Sequence, residues 1–396
     1  MTPEGWIRLP LSEVGTLQRG FDLPVQDRRP GHIPVVASNG PVGVHDSAPV
    51  KGPGVVTGRS GTIGKVFFYE HDFWPLNTTL YVSDFHENHP QYIALLLASL
   101  GLGRFVAATG VPSLNRNFVH PVPVLVPPIP EQRKIAAILS SVDDAIEGTQ
   151  TVIDQLQVVK KAMMADLLTR GIPGLHKKFK QTEIGEVPVE WEVVRAGDLC
   201  DVITKGATPA QQNRGAGDVP FLKVYNIDPK GFIDFAYQPT FIPNHVHSGE
   251  LRRSRVLPGD VLMNIVGPPL GKVAVVPPDF PESNINQAIA VFRPVRVEPE
   301  FLANCLEDAG LFAWASSRAK RTSTQLNLTL EICRDYPLPF PSARERSEIN
   351  TLLSACKARL DAEAKAMLGL REVKSALMSV LLTGEVRVRV DEESAA

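Results

Sequence analysis

Apolar residues between Glu131 and Thr169 recur with a period near 3.5. Alternate steps of four and three residues meet Ile135, Leu139, Val142, Ile146, Thr149, Ile153, Leu156, Lys160, Met163 and Leu167. Two such positions per heptad form a coiled-coil seam, narrower than the face a helix turns to a globular core. The stretch holds no proline and one glycine. At 1.5 Å per residue it predicts a helix of roughly 55–60 Å. Pro130 suits its start and Gly171 its stop.

The same pattern returns between Arg344 and Thr383 at a constant offset of 214, so that Ile135 becomes Ile349. This second seam reads Ile349, Leu353, Cys356, Leu360, Glu363, Met367, Leu370, Lys374, Leu377 and Leu381. The polar breaks fall in register, Thr149 with Glu363 and Lys160 with Lys374, and both stretches finish in Leu-Leu-Thr. A helix with so narrow an apolar stripe would be wet on all sides alone, so the two are expected to pack on each other.

Between the helices the pattern shortens to strand-like runs separated by glycine and proline. Six segments result: a globular block at 1–128, a long helix at 129–170, a linker at 171–186, a second block at 187–341, a second long helix at 342–384, and a tail at 385–396. The first block carries the runs IPVVA, GVVTG, GKVFFY and TLYV, with one helix expected over Gln91–Val106. Its proline-rich exit stiffens the approach to the long helix and keeps that helix from extending backwards.

The second block repeats the order of the first. Trp6-Ile7-Arg8 corresponds to the Trp191–Arg195 run, Gly64-Lys65-Val66 to Gly271-Lys272-Val273, Asn77 to Asn286, and Leu114-Asn115 to Leu326-Asn327. A duplicated unit follows, block and helix twice over, in a mixed chain of the α/β (α+β) kind with an antiparallel coiled coil.

Composition narrows the class. The chain has 396 residues, 43% of them hydrophobic, and a net charge of −2, so any basic surface is local. No apolar run reaches the ~18 residues of a membrane span, and no signal peptide is evident, so a cytoplasmic protein without membrane attachment is expected. Cys200, Cys305, Cys333 and Cys356 show no CxxC pairing and read as reduced core thiols.

Catalytic patterns fail one by one. Gly58–Lys65 resembles a phosphate loop, but Arg59 stands where the Walker pattern needs glycine and Val66 where it needs Ser or Thr. Gly267–Lys272 fails in both places too. There is no Gly-x-Ser-x-Gly, His-Glu-x-x-His or GxGxxG element, and no Asn/Asp-Pro-Pro-Tyr motif. His245 and His247 lack a carboxylate or cysteine at ligand spacing, so no metal site is expected. Asp143-Asp144 is expected on the solvent flank of the long helix.

Binding remains. Arg318, Lys320 and Arg321, followed by Ser323, Thr324 and Gln325, combine phosphate-anchoring cations with side chains suited to base edges. Lys205, Gln212, Asn213, Arg214, Lys223, Tyr225, Asn226 and Lys272 add a second set in the same block. The first block offers Arg19, Arg28, Arg29, Ser38, Asn39, Arg59, Lys65, Asn115, Arg116 and Asn117. Two similar units joined by a rod suit a bipartite DNA site with half-sites about one helical turn apart, and non-identical loops imply non-identical half-sites.

Three features of order carry a family resemblance: the Gly-x-x-Gly-Lys turns (Gly61–Lys65 and Gly267–Lys272), the proline-rich exit into Pro130-Glu131-Gln132-Arg133, and the Thr182–Trp191 linker into the second block. With the duplication and paired helices, the chain resembles the specificity (S) subunit of type I restriction-modification systems over essentially its whole length. Ala343-Arg344-Glu345-Arg346 departs from the expected Glu-Gln helix start. The resemblance implies two target recognition domains on double-stranded DNA, docking of two methyltransferase subunits, and addition of endonuclease/translocase subunits. It also implies no catalysis and no cofactor in this chain, methyl donor and ATP belonging to the partners. A helical scaffold that joins proteins without reading DNA is the alternative; net charge −2 favours it, and the cation- and amide-rich duplicated loops do not.

Overall fold

The computed structural model describes residues 3–107, 112–210, 212–214, 218–321 and 325–390, with the backbone alone at Ala107, Asn213 and Arg214. Both long helices are continuous, Ile129–Leu167 and Ala343–Leu381, 39 residues each. The chain divides into two compact units, Met1–Val152 with Glu363–Ala396, and Ile153–Ala362. Each long helix therefore gives one half to each unit.

In the first unit the strands Thr16–Arg19, Thr79–Asp84, Gly54–Gly58 and Val66–Tyr69 form, in that order, an antiparallel sheet. A second sheet places Ile33–Ala37 between Gly40–His45 and Trp74–Pro75, the last pair parallel. Ile7–Pro10 pairs with Pro123–Val126, which leads straight into the first long helix. The expected helix over Gln91–Val106 is shorter, running Pro90–Ser99. Gly101 then adopts a left-handed φ of +59°, and Leu102–Phe105 forms a 3-10 turn. Tyr92 to Leu97 are all buried, so this helix is enclosed by the core. Ile135, Ala136 and Leu139 share that core with Leu381 and Leu382, so the helix halves in this unit run antiparallel.

The second unit repeats the sheet order with Cys200–Lys205, Ile289–Pro294, Val261–Asn264 and Val273–Val275. Glu192–Arg195 pairs with Pro337–Phe340 as Ile7–Pro10 does with Pro123–Val126. Its second sheet is larger, five strands in which Val219–Leu222 and Ser283–Ile285 form the parallel pair. Met164, Leu167 and Leu168 share one core with Ile349 and Leu353, again placing the helix halves antiparallel.

Every seam position on both helices is buried or half-buried, while the flanks are mostly exposed. Burial is deepest near the ends, at Ile135, Leu139, Leu167, Ile349, Leu353 and Leu381, with Ile153 and Cys356 also buried. It is shallower at Val142, Ile146, Leu156, Met163, Leu360, Met367, Leu370 and Leu377. The polar breaks are satisfied. Thr149 donates its hydroxyl to the Ala145 carbonyl, and Lys160 meets Glu307 at 2.6 Å. Lys374 meets Asp143 at 2.7 Å, which corrects the placing of Asp143 on the solvent flank: it is half-buried and neutralises a lysine in the seam.

The two helix starts are built alike, which the motif pattern obscured. Glu131 accepts the Trp6 indole N–H at 3.2 Å, and Glu345 accepts that of Trp191 at 2.9 Å. One position on, Gln132 bonds the Pro127 carbonyl and the backbone N–H of His89, which caps the Pro90–Ser99 helix. Arg346 bonds the Pro341 carbonyl and the side chain of Glu298, which caps the equivalent helix Pro299–Glu307. The apparent departure at Ala343–Arg346 is thus a single exchange, Gln for Arg, with the carboxylate kept at offset 214. The chain leaving each long helix closes the arrangement in the unit where it lands. Arg387 forks onto Glu131, and His176 reaches Glu345 at 2.7 Å.

The cysteines are free thiols, and burial pushes Cys200 and Cys333 up to about 12 and Cys305 well above its ordinary value. Held protonated, these three are poor nucleophiles. His245 and His247 sit on the short helix Asn244–Ser248, where His247 is buried against Asn284 Oδ1 at 2.6 Å. Among the described residues no cluster of metal-ligating side chains occurs, and no helix is long and apolar enough to cross a membrane.

Candidate nucleic-acid interface

The Gly-x-x-Gly-Lys turns are structural brackets. In the first unit Thr57 donates its hydroxyl to the Lys65 carbonyl, closing the turn, and Ser38 is buried beneath it against Gly58 and Gly61. Asn264 does the same work in the second unit. It accepts the Lys272 N–H at 2.6 Å and donates to the Pro269 carbonyl. Each turn then docks on the segment that follows the unit's short helices. The Leu114 N–H donates to Arg59 O, and the Leu328 N–H to Ile265 O.

This docking gathers Arg19, Arg59, Asn115 and Arg116 around one concavity of about 490 Å³, together with Gln18, Leu80, Ser113 and Leu114. Arg19 is exposed at the end of its strand. Arg59 is half-buried and aimed by its Nε–H to the Asn77 backbone carbonyl at 2.8 Å. Asn115 caps the Arg116–Val119 turn by accepting the exposed Asn117's N–H, and Arg116 donates to the Leu17 carbonyl. Lys65 and Asn39 are exposed nearby in sequence. Arg28 and Arg29 belong elsewhere, held by the Val42 carbonyl and by Asp46 at 3.0 Å on the smaller sheet.

In the second unit Lys205 is exposed at the strand end equivalent to Arg19. Lys272 is half-buried on its turn, and Lys320 and Arg321 are exposed on a strand paired with Leu326–Asn327. Gln325 is exposed beside them, and Ser323 and Thr324 lie outside the described residues. Arg318 is stacked 4.1 Å over the Trp314 ring and donates to the Trp314 carbonyl.

Ser38 and Asn226 need correction as DNA-facing residues, since both are buried. Asn226 is fully enclosed, accepting the Lys223 N–H and donating to Asp234 and Tyr237 carbonyls. It folds the loop that carries Lys223 and Tyr225. Tyr225 in turn bonds the Gln238 carbonyl at 3.2 Å, and Lys223 sits 5.9 Å from the Phe221 ring. Gln212 donates to Pro209 O, and the backbone of Asn213 and Arg214 pairs with Thr240–Ile242.

Strand register also corrects one equivalence. Arg19 pairs with Leu80 and Lys205 with Ala290, so Asn77 corresponds to Gln287 and not to Asn286. Asp22, Thr208 and Gln287, which sequence pattern did not single out, lie with Asn77 at matching places beside the two strand ends.

His120 braces the strand that carries Arg19, its Nε2 accepting the Leu17 N–H at 3.0 Å. Burial, then the neighbouring Arg116, lower its pKa from the ordinary 6.5. The folded state thus binds the proton less tightly than the unfolded chain. The associated stability is complete above the ordinary value and is lost as pH falls from there through the lowered one. The urea midpoint of the first unit is expected to drop between pH 7 and pH 5, and His120→Gln to flatten part of that drop. An equal drop in the variant would exclude His120 as the source.

A sheet-built module with an exposed cation at the same strand end, present twice and completed each time by paired long-helix halves, defines a duplicated fold. Residues 3–158 and 188–368 match the type I restriction modification DNA specificity domain, and the chain belongs to that family. It is 25% identical over 287 residues to the type I restriction enzyme MjaVIII specificity subunit of Methanocaldococcus jannaschii, covering 71% of this chain and 66% of that protein. It is 26% identical over 345 residues to the putative MjaX specificity subunit of the same organism, covering 83% and 76%. Among solved structures, a type I restriction-modification S subunit from M. genitalium shares the fold with TM-score 0.60 at 14% identity, over 95% of this chain and 96% of that one. A chain from a type I R-M system complex shares it with TM-score 0.59 at 16% identity, over 98% and 100%.

Proposed function

We propose that this chain reads an asymmetric bipartite duplex DNA site, one half-site per unit, as the non-catalytic specificity subunit of a cytoplasmic type I restriction-modification complex. The observation that carries this is the repeated sheet edge with its exposed strand-end cation. One strand order and one bracketed turn recur, with a cation at the same strand end, Arg19 and Lys205, while the remaining edge residues differ. Like cations suit a phosphate backbone that is the same everywhere, and unlike polar groups suit two different base sequences. The long helices set the spacer and, through exposed small and polar flanks such as Ala137 and Gln157, offer faces to two methyltransferase subunits. Endonuclease/translocase subunits complete the assembly. Methyl donor and ATP belong to those partners, and this chain holds no cofactor of its own.

Selection from a random duplex pool, with the chain co-expressed with its methyltransferase subunit, tests the reading. Two short, different motifs at fixed spacing are expected. A single continuous motif would assign reading to one unit, and no enrichment from a stable complex would favour a scaffold. Lys320→Ala with Arg321→Ala is expected to weaken binding to all sequences. The log–log salt slope should fall by about 0.9 for each phosphate that is no longer neutralised. An unchanged slope would remove that strand from the interface. Arg318 is left out of the pair because its guanidinium is committed to Trp314.

A further inference from the structure

Two glycines bring a strand end unusually close to a neighbouring turn, once in each unit. A Cβ on Gly20 would stand 2.3 Å from the Leu76 carbonyl oxygen, and one on Gly206 would stand 1.8 Å from that of Ile285. No larger residue could pass there. Two positions further on, the consequence is the same in both units. The Asn77 amide donates to Asp22, and the Thr208 hydroxyl donates to Gln287. By strand register these pairs are equivalent, each three residues from the exposed cation Arg19 or Lys205 on one side and from its strand partner Leu80 or Ala290 on the other. Asp22, Thr208 and Gln287 are exposed and Asn77 is half-buried. No other side-chain hydrogen bond engages any of the four side chains among the described residues.

The chemistry of the two pairs is opposite. A carboxylate only accepts, so Asp22 turns the Asn77 NH2 towards itself, and the pair presents a carboxylate oxygen and the Asn77 side-chain carbonyl, acceptor-rich and anionic. In the other unit the hydroxyl proton is spent on the Gln287 carbonyl. Both Gln287 N–H groups are left outward, donor-rich and neutral. A pair whose task was to hold the turn would have no reason to invert its polarity between copies that keep the adjacent glycine and cation. Base edges in the major groove differ in the same sense at their exocyclic groups: cytosine N4 and adenine N6 donate, whereas guanine O6 and thymine O4 accept, N7 being an acceptor in both purines.

We propose that these pairs are the specificity-determining contacts of the two units, Asp22–Asn77 selecting C or A in one half-site and Thr208–Gln287 selecting G or T in the other. The inference rests on the DNA-reading function proposed above. It is tested in the same methyltransferase complex by selecting duplexes with the wild type, with Asp22→Thr plus Asn77→Gln, and with Thr208→Asp plus Gln287→Asn. Each exchange is expected to change preference at a position of one half-site, C or A giving way to G or T or the reverse. The discrimination should shift roughly 5- to 150-fold, leaving the other half-site and the spacing as they were. The near-isosteric Asp22→Asn and Gln287→Glu are expected to shift the same positions, so a destabilised double variant does not decide the matter. Wild-type motifs recovered from all variants would overturn the pair as the reader while leaving the function standing. Absence of any bipartite motif from the wild type would overturn both.

Discussion

Leu139→Ala and Leu353→Ala are each expected to lower the unfolding free energy of their own unit by about 2–5 kcal/mol, the range for emptying a fully enclosed leucine site. The two leucines hold equivalent seam positions, and their side chains are 0% and 3% exposed. Neither belongs to a two-helix seam alone. Leu139 lies in the same cluster as Leu17, Tyr92 and Val126, and Leu353 in the same cluster as Phe292, Phe301 and Leu338. Urea midpoints measured beside Leu156→Ala and Leu370→Ala check the idea. Those half-buried positions leave a smaller void and are expected to cost about 1 kcal/mol. Equal losses at all four would mean that the helices pack as a uniform rod, independent of the sheets.

That contrast shows what a heptad pattern conveys. The 3.5-residue period identified both helices and all of their seam positions, because a periodic stripe needs no knowledge of its partner. It carried no information on depth, since Leu139 and Leu156 look alike until sheets and a short helix close over one of them. Duplication was legible for the same reason, being a comparison of the chain with itself. It failed where a chemical exchange hid a shared role. Gln132 and Arg346 both bond the proline carbonyl five residues back and the residue capping a short helix, yet the motif seemed lost at Arg346.

The candidate interface was legible in part. In the first unit the exposed strand-end Arg19, the Arg59 turn and the Asn115–Arg116 loop converge on one concavity. Buried Asn226 does not face solvent as its residue type suggested, because an enclosed loop consumes its amide. The Asp22–Asn77 and Thr208–Gln287 pairs escaped notice because their members are 55 and 79 residues apart and share no residue type. Only strand register makes them equivalent.

The same comparison between copies leads to an unequal response at the helix starts. Glu345→Ala is expected to destabilise the second unit by about 3–5 kcal/mol, because it strands several buried donors at once, each worth about 1–3 kcal/mol. The Trp191 indole is 1% exposed, the Ile172 N–H points to the same carboxylate, and His176, with its side chain 8% exposed, is held between Glu345 and Glu190. Gly171 turns there at a φ of +76°, where a Cβ would stand 2.4 Å from the Glu345 oxygen. Glu131→Ala is expected to cost less, about 1–3 kcal/mol. It leaves the Trp6 N–H without its acceptor, but Arg387 is already 40% exposed and can turn its guanidinium to water. Glu345→Gln separates charge from hydrogen bonding: it keeps an acceptor for Trp191 and is expected to fall between wild type and alanine. Urea unfolding of the three variants reads the order directly. A loss at Glu131 equal to that at Glu345 would show that the number of buried donors left without an acceptor does not govern the cost, and that the two helix starts are energetically as well as geometrically alike.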